Sequence, residues 1–451
     1  MGYRMSLCFL VVILLGGCAS IDSYHTKHTA GGCVDDGSTQ CDDAIVIHKN
    51  NPDYSLAFLE VDDQGVMHNR DQMRHILDLV KVRGNSYIIV FVHGWHSNAK
   101  PNNANMKSFE RRLEFTKRRY PTLNVVGIYV GWRGKSIEIP YVAVTTFWDR
   151  KNTSEEVGRN GLLEFLLRLE AAVRKHDDNT LLAVGHSLGG SVIFNALSPI
   201  LLERLVSSPT PKVRGYGDLV VLINPAIEAM RYTALRDAAQ VHQREQGFPS
   251  SQGPVFMVAA AEGDDAVKYA FPLGRSFSTL LERHREFEPP SRGEIAEKKI
   301  DQGSLDRFAI GQFERYTTHS LVANASSGNN DECKSPNGWL VEAVKRRKRS
   351  GDQTGEGWDT GWNSRGPEDQ RPLLGDASMM QVIHKKNSAA FDPYWITTLH
   401  ENVITDHSNI TQKHFWCFID LTLRESGALK SLTPQPAPDP EPNIELGEGL
   451  K

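Results

Sequence analysis

The chain carries no excess of positive charge. Across 451 residues, 51 Lys and Arg stand against 55 Asp and Glu, for a formal net charge of −4. Nothing global therefore holds nucleic acid by phosphate neutralisation, and no nucleic-acid partner is expected. Cysteine is scarce, with six residues and none in C-x-x-C spacing, which leaves a zinc ribbon or a thioredoxin-like site without its ligands. Internal repeats are lacking, which excludes solenoid and propeller arrays. What is present suits a large globular core: 40% hydrophobic and 24% charged residues exclude wholesale disorder, a collagen-like rod and a multi-span membrane protein.

The first residues depart from that average. Arg4 makes a short basic region, Met5 to Leu15 an apolar run, and Leu15-Gly16-Gly17-Cys18 follows. About eleven apolar residues are too few to cross a bilayer, which needs roughly 20. The segment resembles a bacterial lipoprotein signal peptide, with Leu15 to Cys18 as its lipobox. That resemblance implies removal of residues 1–17 and lipidation of Cys18, palmitate included, so that several acyl chains anchor the protein where one would not. Ala19-Ser20, with no Asp after the Cys, further implies sorting to the outer membrane, facing the periplasm.

The other cysteines agree with export. With Cys8 removed and Cys18 committed to lipid, Cys33, Cys41, Cys333 and Cys417 form an even set in an oxidising compartment. Three pairings are possible. The local one joins Cys33 to Cys41 and leaves Cys333 with Cys417; free buried thiols are the alternative.

Residues 18–43 are polar and Gly-rich and read as a tether. Beyond them, short apolar runs at Tyr87–Val92, Leu123–Val130, Leu181–Val184, Leu219–Ile223, Val255–Ala260 and Tyr394–Leu399 predict strands. Helical patterns separate them, the clearest starting from the capping box Thr153-x-x-Glu156 and continuing through Leu162, Phe165, Leu166, Leu169 and Val173. Continuous apolar strands alternating with helices predict an α/β fold, a mostly parallel sheet covered on both faces. Residues 273–391 break this rhythm and read as a large late insertion outside the sheet, with a solvated basic cluster at 345–349. Residues 44–430 thus make one domain, and 431–451 a disordered Pro-rich tail.

Leu181–Val184 runs into Gly185-His186-Ser187-Leu188-Gly189, after which the chain reads as helix. This is G-x-S-x-G in its proper frame, a strand, a sharp turn and a helix, with Ser187 held out at the carboxyl end of the sheet as nucleophile. The helix N-terminus favours a developing oxyanion. Upstream, the strand Tyr87–Val92 ends in His93-Gly94-Trp95-His96, where Gly94 lets the backbone turn towards the nucleophile. His93 and His96 have no third ligand at metal spacing, and neither a metal nor another cofactor is expected.

On these residues, together with Gly131-Trp132-Arg133-Gly134 and Asn224-Pro225-Ala226, the sequence resembles the α/β-hydrolase superfamily, and within it a group of bacterial hydrolase-like lipoproteins. The similarity covers about Leu56 to Pro272 and Tyr394 to Leu423. It implies an oxyanion hole from the backbone N–H groups of Trp95 and Leu188. It places the acid after the strand Val255–Ala260, at Asp264 with Asp265 as the alternative, and the base at His407, with His319 as the alternative. The implied activity is hydrolysis of carboxylic esters through an acyl-enzyme on Ser187, esterase-like or lipase-like. A thioesterase, acyltransferase or peptidase with the same triad, or a catalytically silent envelope interaction module, remain the other readings.

Overall fold

The computed structural model describes residues 22–36, 41–49, 53–101, 103–135, 146–249, 251–279, 281–289, 299–323, 380–384 and 391–429. Their strands are β1 (Cys33–Asp35), β2 (Ile45–His48), β3 (Tyr54–Glu60), β4 (Ser86–Val92), β5 (Asn124–Gly131), β6 (Thr180–His186), β7 (Leu219–Ile223), β8 (Phe256–Ala261), β9 (Glu286–Phe287), β10 (Ile300–Asp301), β11 (His319–Ala323), β12 (Met380–His384) and β13 (Tyr394–Leu399). The helices are α1 (Arg70–Lys81), α2 (Ala104–Arg119), α3 (Phe147–Arg159), α4 (Gly161–Val173), α5 (Leu188–Val206), α6 (Ala229–Glu245), α7 (Phe271–Ser278), α8 (Gln302–Arg307) and α9 (Lys413–Glu425).

Eleven strands form one sheet in the order β1-β2-β3-β5-β4-β6-β7-β8-β13-β11-β12. Among its described pairs, only β2 with β3 and β11 with β12 run antiparallel. The fold is therefore α/β with a large, mostly parallel central sheet. Strands β4, β6, β7 and β8 are buried from end to end, which requires cover on both faces. Alternation along each strand supplies both covers with partners. Ile88, Val90 and Val92 of β4 share a core with Ile76 of α1, Phe165 of α4 and Val192 of α5. Tyr87, Ile89 and Phe91 share the opposite core with Phe109 and Leu113 of α2 and with Phe415 and Phe418 of α9.

Two features place the site. From β4 the chain steps outward to β5 and then returns past β4 to β6, so strand progress reverses there. Ligands of open parallel sheets bind at the carboxyl ends of strands at such a reversal. Secondly, α9 is clamped against the sheet: buried Arg112 of α2 pairs with buried Asp420 of α9, and Tyr87 Oη donates to the same carboxylate at 2.9 Å. Helix α5 is apolar and long enough to cross a membrane by length and composition; much of it is buried as the core helix behind Ser187.

Three expectations require correction. Thr153 does not start a helix: it lies inside α3, which begins at Phe147, and the break before α4 falls at Asn160. The stretch 18–43 is no free tether in its described part, since His25 is buried and β1 joins the sheet. Residues 273–391 do not all stand outside the sheet. Strand β11 pairs with β13 and β12 with β11, and Leu305, Ile310 and Tyr316 enter the main core.

Cys33 and Cys41 form a disulfide, the local pairing. Cys417 is disulfide-bonded as well. Cys333, Cys18, residues 1–17, the basic cluster 345–349 and the tail 431–451 lie outside the described residues.

Candidate active site

Strand β6 delivers Ser187 into a left-handed backbone conformation, φ 56° and ψ −119°, immediately before α5. Such a conformation in a residue with a side chain costs about 1–3 kcal/mol and persists only where the surroundings enforce it. Here Ser187 N–H donates to Ile223 O at 2.9 Å while Ala226 N–H donates back to Ser187 O at 3.3 Å, so β7 and the turn after it hold the peptide from both sides. Gly189 is required by packing. A Cβ there would sit 2.1 Å from Val92 O and 2.5 Å from His93 O, so only glycine lets α5 start beneath the end of β4.

The loop leaving β4 wraps over this turn. A Cβ on Gly94 would lie 2.9 Å from Ser187 Cβ and 3.0 Å from His186 O, which brings the backbone leading to Trp95 against the serine. The loop is sewn to the end of β5 through His96 N–H to Gly134 O and Gly134 N–H to Ser97 O, both at 3.0 Å. Neither the Trp95 nor the Leu188 backbone N–H has a hydrogen-bond partner among the described residues. Two donors beside the serine and unspent on the fold are what an oxyanion needs.

His93 is buried and has no ligand-like setting. Its Nδ1 donates to Gly94 O at 2.9 Å, and its Nε2 accepts from Trp132 N–H at 3.2 Å. Burial pushes its pKa down to about 4, so it is a neutral strut between the loop and β5.

Asp264 and His407, the expected acid and base, come from far downstream. Asp264 follows β8, is fully buried and faces His407 Nδ1 at 2.7 Å through Oδ2. Its Oδ1 accepts from Val267 N–H at 3.0 Å, which fixes the carboxylate plane. His407 Nε2 meets Ser187 Oγ at 2.8 Å. With Asp264 ionised, Nδ1 carries the proton and Nε2 is left to accept from the serine hydroxyl. Asp265, the alternative acid, is exposed beside it. His319, the alternative base, is buried at the start of β11, its ring 4.1 Å from that of Trp395 and its Nδ1 2.8 Å from Thr318 Oγ1. His407 therefore occupies the position facing Ser187.

The loop that carries His407 has its own supports. Asp406 Oδ1 accepts from Ser408 and Asn409 N–H groups at 2.9 and 3.0 Å, and these bonds hold its carboxyl below the usual range. His407 O accepts from His186 Nε2 at 2.8 Å and from Asn224 Nδ2 at 3.1 Å. His186 is kept neutral by burial and by the neighbouring His407, its pKa pushed down to about 3. Asn224 is the residue that sequence reasoning missed in function. It stands at φ 46° after β7, and its Oδ1 accepts from Ala261 N–H at 2.8 Å. One side chain thereby ties the ends of β7 and β8 to the histidine loop. Its presence in Asn224-Pro225-Ala226 was the only available signal, and the spacing of that motif carries no role by itself.

Among the described residues, Glu282, His284 and Asp306 bring three potential ligand atoms within 4.8 Å of one another. Arg275 already pairs with Asp306 there at 2.5 Å, supplying positive charge without a metal. Comparison with known proteins finds no matching family model and no matching curated protein. Chemically, the arrangement offers a hydroxyl nucleophile, a base oriented by a buried carboxylate, and two free backbone donors.

Proposed function

We propose that the chain is a lipid-anchored serine hydrolase of the α/β-hydrolase kind that cleaves carboxylic esters in the bacterial envelope. The observation that carries this reading is the unbroken relay from Asp264 Oδ2 through His407 to Ser187 Oγ, with both links at 2.7–2.8 Å. Its chain order, serine, acid, histidine, is the one found on nucleophile-elbow enzymes.

In this mechanism His407 Nε2 takes the hydroxyl proton as Ser187 Oγ bonds to the ester carbonyl carbon. The carbonyl oxygen becomes an oxyanion facing the Trp95 and Leu188 N–H groups, each worth about 2.7–4 kcal/mol of barrier lowering. Collapse breaks the ester C–O bond, and the imidazolium returns its proton to the departing alcohol. Water then attacks the acyl-serine with His407 again as base, releasing the acid and restoring the Ser187 hydroxyl. Asp264 stays ionised throughout, holding the ring and stabilising its protonated form. No metal or cofactor takes part in these steps.

The test is pre-steady-state turnover of p-nitrophenyl esters of increasing acyl length, with a thioester and an anilide in the same panel. A burst of nitrophenol equal to the enzyme concentration, absent in Ser187→Ala, is expected for the esters. Turnover of the anilide alone would make the protein a peptidase, and turnover of the thioester alone a thioesterase. No Ser187-dependent turnover of any of them overturns the hydrolase reading.

A further inference from the structure

Tyr24 and His25, six and seven residues after Cys18, are fastened to the edge of the sheet that carries Ser187. Tyr24 and His25 donate their backbone N–H groups to the two oxygens of Glu60, each at 2.8 Å, and Glu60 is the last residue of β3. His25 lies flat on Phe58, ring centroids 3.4 Å apart, and its Nε2 donates to Ala99 O at 3.0 Å. Asn98 Nδ2 donates to Tyr24 Oη at 3.3 Å. Asn98 and Ala99 belong to the same loop as Gly94 and Trp95.

Chain length then limits where a lipid at Cys18 can sit. Only Ala19 to Ser23 lie between Cys18 and Tyr24, and fully extended they reach about 20 Å. A compact domain of roughly 400 residues has a radius of gyration of about 21 Å, hence a diameter of about 55 Å. The anchor cannot be led round to the opposite end of the strands.

A second observation marks the same edge. The helical segment after Asp264, a π turn (Ala266–Ala270) and then α7, buries Val267 and Phe271 and exposes Tyr269 and Leu273 by 62% and 63%. An aromatic row joins it to the donor loop: Phe271 meets Trp148, Trp148 meets Phe147, and Phe147 meets Trp95, with ring centroids 5.2–5.6 Å apart. Exposed Lys268 beside the pair suits the headgroup layer, where its stem can lie on apolar surface.

We propose that a phospholipid bilayer occupies this face. The short strap from Cys18 and the pair Tyr269 and Leu273 hold the Ser187 edge against the leaflet that carries the anchor, and the substrate is an acyl ester drawn from that leaflet. The proposal rests on the anchored-hydrolase reading and extends it to orientation and substrate class.

The test uses the full-length lipidated protein in vesicles of phosphatidylethanolamine and phosphatidylglycerol. A polarity-sensitive fluorophore is placed at Tyr269→Cys or Leu273→Cys and, at the amino-terminal end of the strands, at exposed Val82→Cys or Val206→Cys. Doxyl-labelled lipid is expected to quench the first pair at least threefold more strongly than the second. Equal quenching of both pairs, stronger quenching at 82 or 206, or failure to float with the vesicles overturns the proposal. Tyr269→Ser/Leu273→Ser is expected to lower turnover of a vesicle-embedded ester about tenfold and leave a soluble short ester unchanged; equal loss on both substrates contradicts it. Fluorophosphonate labelling of the same samples reads the hydrolase separately. Quenching at 269 and 273 without labelling upholds the docked face and removes the substrate claim.

Discussion

His407 Nε2 lies 2.8 Å from Ser187 Oγ although 220 positions of chain separate them. The contact depends on α9, which starts six residues after His407 and is clamped through Asp420 to Arg112 and Tyr87. Asp420→Asn leaves the Arg112 charge buried without compensation, a change that costs about 3–5 kcal/mol. Chemical denaturation should show that loss, and ester turnover should fall with it even though Asp420 is remote from substrate.

The two neighbouring aspartates should separate cleanly. Asp264→Asn keeps the shape but removes the charge that fixes the His407 tautomer, and kcat should fall by about 10⁴. Asp265→Asn, at an exposed position, should change kcat by less than about threefold. Steady-state kinetics on one soluble ester decides between them, and a reversed pattern would move the acid to Asp265.

Gly94→Ala should disable acylation with little effect on the remainder of the fold. The added methyl would lie 2.9 Å from Ser187 Cβ, so the donor loop must retreat from the serine. A drop of about 100-fold in kcat/KM, with most of it in kcat, is the expected outcome. Circular dichroism of the variant checks that the sheet is unchanged.

Asn224→Ala removes the donor to His407 O and leaves Ala261 N–H without its acceptor. As a positioning residue it should act on kcat more than on KM, by about tenfold or more.

Glu110 offers a test by pH. Burial, with Glu114 and Asp35 nearby, pushes its carboxyl up to about 7 from an ordinary 4.5. A raised carboxyl favours the folded state only while protonated. Its benefit is complete below pH 4.5 and is lost as pH climbs through 7. Glu110→Gln should therefore match the wild type at pH 4 and exceed it above pH 8, by about 2 kcal/mol after allowance for its partial exposure. Thermal melts across that range measure it.

How much of this was legible in the sequence follows from where each signal is stored. The six strands read from apolar runs all appear, because a strand buried on both faces writes itself as an uninterrupted run. Strand β3 escaped because Ser55 and Glu60 look like surface residues; Arg83 and the strap at Tyr24 and His25 satisfy them. Strand β11 escaped likewise: its His319 is buried against Trp395, and Thr318, just before the strand, donates its hydroxyl to Ile396 O. Thr153 carries a local capping signal that tertiary contacts override, since Ser154 and Lys151 on the same helix are tied to Ser191 and Glu228. Ser187 and the glycines around it were readable because their constraint is a turn within a few residues. The roles of Asn224 and His25 were not, because they arise only when distant segments meet.

Covalent labelling by a fluorophosphonate, read by intact mass and peptide mapping, asks whether Ser187 is an activated nucleophile. One adduct per chain is expected, on Ser187, lost in Ser187→Ala and strongly slowed in His407→Ala. An unlabelled wild type, or equal labelling of wild type and Ser187→Ala, would contradict it.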